Sequence, residues 1–490
     1  MKTIFFFAVF AFFTLTYEVL NSQTTFTFNY NNGYVKRSQA MFEDEAGNIL
    51  ALLREHTGTD YTPTQYYRSG ILKFSPTGDT STLFYSFGDT AVSLTAMSKA
   101  QEEGYLLSGQ AGQPQIGDSR LILMKTDAQC QKIWSKEHYI EGVFYIFPEK
   151  IITDENGCYV FGEVNFAIGG GWHPFMSRFD QEGQMLRYYI YPDHGMVPFE
   201  FVLNPKANRI WLFSGSNLDP FNNESRLLFD TSFNYISGEE LPNNIWDGLY
   251  NFKWLNDTSF YVSYLGFRNE TPNSYQDHEF SLSLYDTTMN RLSYGEFGNL
   301  DSDDYPGFGM PFDFITPDTI FYTGTIGLHY YPIFYGYKNW IMVGQTDRNL
   351  QELYRRYMGG DANYMSLSVL ALKDGGCFVN TAKLNEDLLI FDLVFFRLDQ
   401  NGQLVYTTDA AMMQQQFISY PNPVKDYLNV EGPSIGYEVQ LFSQDGRLIQ
   451  SVHSQSDKTQ IRTSGLKSGM YFISYLLDGK HIETEKIIKF

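Results

Sequence analysis

Apolar and polar positions alternate along most of this chain in short runs, and two recurring turns punctuate them. One turn is Asp-x-x-Gly, or a close variant, placed before an apolar run. It occurs at residues 44–47, 101–104 and 154–157 and again at Asp374-Gly375-Gly376, with weaker copies from Asn204, Asn256 and Pro317. The second turn lies about 25 residues further on in each unit, where an apolar run ends on Asp127, Asp180, Asp230, Asp286, Asp347 or Asp399. The spacings between these are 53, 50, 56, 61 and 52 residues, and Ser75 holds the place in the first unit. Alternation over runs this short has the period of a half-buried strand.

Asp and Gly tolerate the positive-φ positions of tight hairpins. The flanking Val, Ile, Tyr and Phe suit a pleated sheet. Each unit is therefore expected to be four antiparallel strands, a sheet too small to bury both faces alone. Packing such sheets radially solves that problem. The spacing predicts an all-β chain with a seven-bladed β-propeller over residues 23–410, eight blades being the lesser alternative. Irregular hairpins in sandwiches fit seven evenly spaced copies less well. Residues 26–30 have the character of an outer strand that completes the seventh sheet. Residues 403–406 have it too, which leaves one outer strand surplus.

The first 22 residues stand apart. Lys2 precedes an apolar stretch over 4–15, and Asn21-Ser22 offers a cleavage position, the pattern of a secretory signal peptide. About 12 apolar residues cannot span the ~30 Å core of a bilayer, and no later stretch is long enough. No transmembrane segment is expected, and the mature chain is expected to be exported. The 56 acidic and 35 basic residues give a net charge of −21, and aromatics make up 17%. So much Phe and Tyr can bury a core, which excludes a disordered chain. The negative charge opposes a phosphate backbone, so nucleic acid is not an expected partner. Three cysteines are too few for a disulfide scaffold; Cys130 with Cys158 is the single plausible pair, and otherwise the three are packed or free thiols.

The charge is unevenly placed. Residues 416–490, after a short linker at 411–415, hold eight basic and eight acidic residues, and Lys2 balances Glu18. The whole −21 therefore falls in residues 23–415, and such asymmetry marks a domain boundary. The last 75 residues carry several short strand candidates with hairpin turns at Asp445-Gly446 and Asp478-Gly479, as in a small β-sandwich. They also carry four motifs in order: Pro421-Asn422-Pro423 after Tyr420, followed by Asp426; Leu441-Phe442 before Gly446; Leu466 with Gly469 and Tyr471; and Lys486-Ile487-Ile488-Lys489. Together, behind a signal peptide, these resemble the type A C-terminal sorting domain of the type IX (Por) secretion system of Bacteroidetes, an Ig-like fold. The resemblance implies passage through the periplasm and then across the outer membrane of a Gram-negative bacterium. The partner would be the type IX machinery, and the cargo would be released or attached at the cell surface.

For the propeller, function is expected on the face that carries the long loops between second and third strands, since recognition concentrates on loops held by a rigid scaffold. Candidate ligand-binding residues there are Trp172 and His173 behind Gly169-Gly170-Gly171, with His329, Tyr330, Tyr331, Tyr335 and Trp340. Such rings can stack on sugars or peptides at low entropic cost. Six histidines (His56, His138, His173, His194, His278 and His329) map to the same side, without metal-ligand spacing. Asp301, Asp303 and Asp304 form an acidic loop of the kind that suits Ca²⁺, although it lacks a full Ca²⁺-loop pattern. No nucleophile elbow, phosphate loop or dinucleotide fingerprint occurs. The expectation is a non-catalytic module for glycan or protein. A polysaccharide lyase or hydrolase, and a structural or adhesive surface component, are the alternatives.

Overall fold

The computed structural model describes residues 25–404 and 418–490, apart from loop segments of which the longest are 217–224, 241–248, 268–277 and 328–337. Seven sheets follow one another over residues 26–398, each with at least four antiparallel strands. The third is typical, running Tyr145–Asp154, Gly157–Asn165, Trp172–Phe179 and Met185–Ile190 in simple up-and-down order. In the first and sixth sheets the first strand is split in two, as in Asp304–Pro306 and Phe312–Asp313.

Each sheet buries its faces against its two neighbours, and the apolar clusters record this. Leu50 and Leu52 of the first sheet pack with Leu94 and Leu107 of the second, and Leu121 and Leu123 of the second with Val160 and Phe175 of the third. Phe161 packs with Phe201 and Leu212, Trp211 with Phe252 and Phe260, and Phe280 with Tyr322 and Met342. Ile341 and Val343 then meet Val379 and Phe396. Finally Phe378 and Phe395 of the last sheet pack on Leu53 and Phe74 of the first. The series returns to its start, so the sheets form a closed, propeller-like ring.

The surplus strand is resolved in favour of the N-terminus. Phe26–Tyr30 pairs antiparallel with Ile390–Leu398 and completes the seventh sheet. Gln403 and Leu404 are not in a strand, while Val405 and Tyr406 lie outside the described residues. The closure has a second fastening. Lys36 of the first sheet, with a fully buried side chain, donates to Asp392 of the last at 2.7 Å.

The turn chemistry corrects one expectation. Asp was expected to supply the positive φ of the second turn. That place falls instead three residues later, on Cys130, Gly183, Phe233, Met289, Leu350 and Gly402. The Asp carboxylate stays behind as an acceptor. Asp127, Asp230, Asp286, Asp347 and Asp399 each take the amides two and four residues on at 2.7–3.0 Å, closing an Asx turn. Non-glycine residues are held in the strained conformation because their side chains plug the junction with the preceding sheet. Cys130, Phe233 and Leu350 are each no more than 5% exposed.

A β-bulge follows each such turn in sheets two to six, and the extra residue is an exposed aliphatic: Ile133, Leu186, Ile236, Leu292 or Leu353. The bulge twists an outer strand that would otherwise offer a flat edge for pairing.

The three cysteines are buried and unpaired. Cys130 belongs to the junction of sheets one and two and Cys158 to that of sheets two and three, so the one pairing the sequence allowed is not formed. Burial pushes the Cys130 thiol up to about 11 and the Cys158 thiol to about 12, so neither is a reactive thiolate at neutral pH.

The C-terminal residues form two sheets around one core. The smaller joins Ile418–Tyr420, Tyr427–Glu431 and Lys458–Arg462. The larger runs in the order Leu448–Ser454, Tyr437–Ser443, Gly469–Leu477, Lys480–Lys489. Leu428, Val430, Ile461, Val439, Ile473 and Ile487 interleave between them. Among the described residues no helix is long and apolar enough to cross a membrane.

Candidate functional site

The third sheet brings together the best-defined group on the long-loop side. Register fixes which side chains share a face, because directly paired residues of antiparallel strands point the same way. Tyr145 pairs with Asn165, and Asn165 with Trp172. The next row on that face is Phe147, Glu163 and Pro174. The rings of Tyr145 and Trp172 lie 6.2 Å apart, tilted, and both are partly exposed.

His173, although adjacent to Trp172, points to the opposite face with Val164. Its Nδ1 lies 3.0 Å from the Tyr191 carbonyl oxygen, and the exposed ring of Phe166 meets its edge at 5.2 Å. Trp172 and His173 are thus separate features and not one site. The period-2 alternation of a strand carried this signal in the sequence.

Acidic groups adjoin the aromatic face. Burial pushes the Glu163 carboxyl up to about 7. Glu149 is the extra residue of a bulge in the innermost strand, between Pro148 and Lys150. Its carboxyl is held well above the usual range, first by the protein walling it in and then by the charges of Glu163 and Glu200. The residue as a whole is exposed, while its carboxyl is crowded by protein on the inner strand. Glu200, on the innermost strand of the fourth sheet, accepts an ion pair from Lys150, and burial raises its carboxyl too. Sequence inspection missed these carboxyls, because a lone Glu in a strand carries no signal until the ring places its neighbours.

The other candidates fall elsewhere. Trp340 opens the strand Trp340–Thr346, is 6% exposed, and its ring covers Gly360. That corrects its place among the loop rings: it is core at the junction of sheets five and six. His329, Tyr330, Tyr331 and Tyr335 lie outside the described residues, as do His194 and Asp301. Asp303 faces His278, whose Nδ1 is 3.2 Å away. Asp304 is fully buried and accepts from the amides of Asn299 at 2.5 Å and Gly327 at 2.9 Å and from the Ser302 hydroxyl at 2.8 Å. Neighbouring protein therefore engages both acids. Among the described residues no three His, Cys, Asp or Glu side chains converge as a metal site. The described histidines are likewise dispersed: His56 is buried in the first sheet and His138 lies against Phe179.

In the C-terminal unit two of the sequence motifs meet in space. Asn422, in a cis bond to Pro423, donates to the Lys486 carbonyl at 2.8 Å and accepts from the Ile488 amide at 3.0 Å. Val424 extends the contact, its amide donating to the Ile488 carbonyl at 2.7 Å. Gly469 pairs with Lys489 and Tyr471 with Ile487, and the Tyr471 hydroxyl donates to the Lys467 carbonyl. Lys489 is buried, and the Asp426 carbonyl accepts from the Thr463 amide. Gly446 lies outside the described residues.

Comparison with known proteins agrees with this unit. Residues 419–489 match the family described as the secretion system C-terminal sorting domain. The chain carries a type IX sorting tail, which makes it a cargo of that system with a propeller-like body exported to the cell surface or beyond. No curated protein matches the chain. Among solved structures it is similar to a puromycin hydrolase S511A mutant (10% identity, 81% of this chain and 58% of the other, TM-score 0.45). A PL25 ulvan lyase is similar at 10% identity, 78% and 98% coverage and TM-score 0.42. PorZ, a surface component of the type IX system of Porphyromonas gingivalis, is similar at 8% identity, 95% and 100% coverage and TM-score 0.25.

Proposed function

We propose that the protein is a seven-bladed β-propeller with an Ig-like sorting domain, carried out of a Gram-negative cell behind a signal peptide, and that the propeller binds glycan. The observation that carries this is the row Tyr145, Asn165 and Trp172 on one face of the third sheet, with Glu163 in the next row. Two partly exposed rings offer a sugar a stacking surface. A carboxyl that keeps its proton near neutrality can both donate to and accept from hydroxyls. A glycan-binding screen on the full chain tests this. Trp172→Ala and Tyr145→Ala should each weaken binding about tenfold or more, on the order of the truncation cost of a contact aromatic. Binding that survives both substitutions unchanged would place the site elsewhere.

A second function, polysaccharide lyase or hydrolase, is favoured by one observation. Glu163 holds its proton up to about pH 7, the range a general acid needs, and a second raised carboxyl, Glu149, lies near. Glu163→Gln should then abolish turnover of the bound polysaccharide and leave its binding intact. Absence of turnover by the unaltered chain leaves the binding function alone.

A further inference from the structure

Two carboxyls of the third sheet lack a counter-charge. Among the described residues neither Glu149 nor Glu163 makes a hydrogen bond or an ion pair. They lie near enough for the charge of Glu163 to act on Glu149, and like charges so placed oppose each other's ionisation. The neighbouring cations are engaged elsewhere. Lys150 is paired with Glu200 of the fourth sheet. The Arg54 guanidinium lies over the Phe147 ring at 5.8 Å and donates to the Ser93 hydroxyl at 3.1 Å. Carboxyls left together without a cation cost stability, and a cation from outside would relieve that cost.

A second, independent group looks into the same junction. Phe161 of the third sheet and Leu212 of the fourth pack together there. Two residues further along each strand, alternation puts Glu163 on the side of Phe161 and Ser214 on the side of Leu212. Ser214 is fully buried, and its hydroxyl has no partner among the described residues. A buried hydroxyl without a partner is costly unless something supplies one. The junction therefore offers aromatic faces at Tyr145 and Trp172, carboxyls without a cation, and a hydroxyl without a partner.

Resting on the glycan binding proposed above, we propose that the ligand is an amino-sugar glycan with free amines, its ammonium held by Glu149 and Glu163 and a sugar hydroxyl by Ser214. A 2-amino sugar carries what the junction asks for. Its C–H face stacks on a ring, and an ammonium and a hydroxyl stand on adjoining carbons. The side chain of a lysine peptide brings the ammonium without the hydroxyl. Uronate and sulfate esters meet carboxyls of their own sign. Both carboxyls are raised in the free protein, Glu163 to about 7. Pairing with an ammonium favours their charged form, so their protons pass to solvent as the glycan binds.

Titration calorimetry on the full chain tests this with a glucosamine oligomer and its N-acetylated counterpart, in mildly acidic solution where the free amine is protonated. The free-amine oligomer should bind about tenfold more tightly or better, the scale of a hydrogen bond between charged groups. Buffers of different ionisation heat should show proton release with that oligomer alone. Glu149→Gln with Glu163→Gln keeps the side-chain shapes and removes a repulsion, so the variant should fold. It should bring the affinity ratio to about one and abolish the proton release. Trp172→Ala should weaken both oligomers alike and leave their ratio unchanged. Equal affinities in the unaltered chain, or a preference that survives the double substitution, would overturn the amine assignment and leave glycan binding standing. Binding of an oligolysine with neither oligomer bound would overturn both.

Discussion

The indole of Trp134 occupies the space that a side chain at Gly183 would need, across the junction of the second and third sheets. Tyr354 stands in the same relation to Gly402, and Phe26 to Gly78. Where the turn residue is not glycine the relation inverts, and Cys130, Phe233 or Leu350 fills the junction from the turn side. Each junction is thus filled once, from one side or the other.

Gly183→Ala should destabilise the chain by about 1–3 kcal/mol, the range for overpacking, because its Cβ meets the indole and its φ is +76°. Gly33→Ala is the control. Its φ is +78° but nothing lies within 4 Å of its Cβ, so strain alone acts. Urea midpoints compare them, and an equal loss at Gly33 would show that backbone strain, not packing, explains Gly183.

Asp392→Ala should cost about 3–5 kcal/mol, the penalty for leaving a buried charge unpaired, since it strands the buried ammonium of Lys36. Lys36→Met combined with Asp392→Leu should recover most of that loss, because neither charge then remains. Equilibrium unfolding of the two variants decides it. Equal destabilisation would mean the closure depends on something other than this pair.

The Asx turns make stability depend on acid. The Thr288 side chain, followed by the Asn290 amide, holds the Asp286 carboxyl down at about 2, below its ordinary 3.8. A depressed carboxyl stabilises the fold above its unfolded value, and that stability is lost as pH falls through the folded one. Melting temperature should therefore fall between about pH 4 and 2. Asp286→Asn should flatten part of that fall. An unchanged slope would mean the turn keeps no preference for the carboxylate.

Asn422→Ala removes both side-chain bonds that tie the Pro-Asn-Pro element to the last strand. Each such bond contributes about 1 kcal/mol net, so amides near Ile488 should exchange roughly fivefold faster or more. Surface delivery of the full chain should fall with them. Normal delivery with loosened amides would separate the motif's structural role from its sorting role.

The sequence by itself determined what is local and periodic. Alternation and turn residues sufficed for the strands, the repeat and the all-β class, and the four ordered motifs from Tyr420 to Lys489 sufficed for the sorting tail. A period of two also held the information that Trp172 and His173 face apart. What the tertiary structure decided depends on partners far apart in the chain. Residues 26–30 and 403–406 are equal claimants in sequence to the outer place in the seventh sheet, and the folded chain seats Phe26–Tyr30 there, with Phe28 packed on Phe74. Trp340 resembles the loop rings until the neighbouring sheet buries it. Glu163 is one Glu among many until the packed fold buries it and raises its carboxyl to about 7. Burial and charge proximity are sums over neighbours, and those neighbours come from paired strands and adjoining sheets, which a linear pattern does not place.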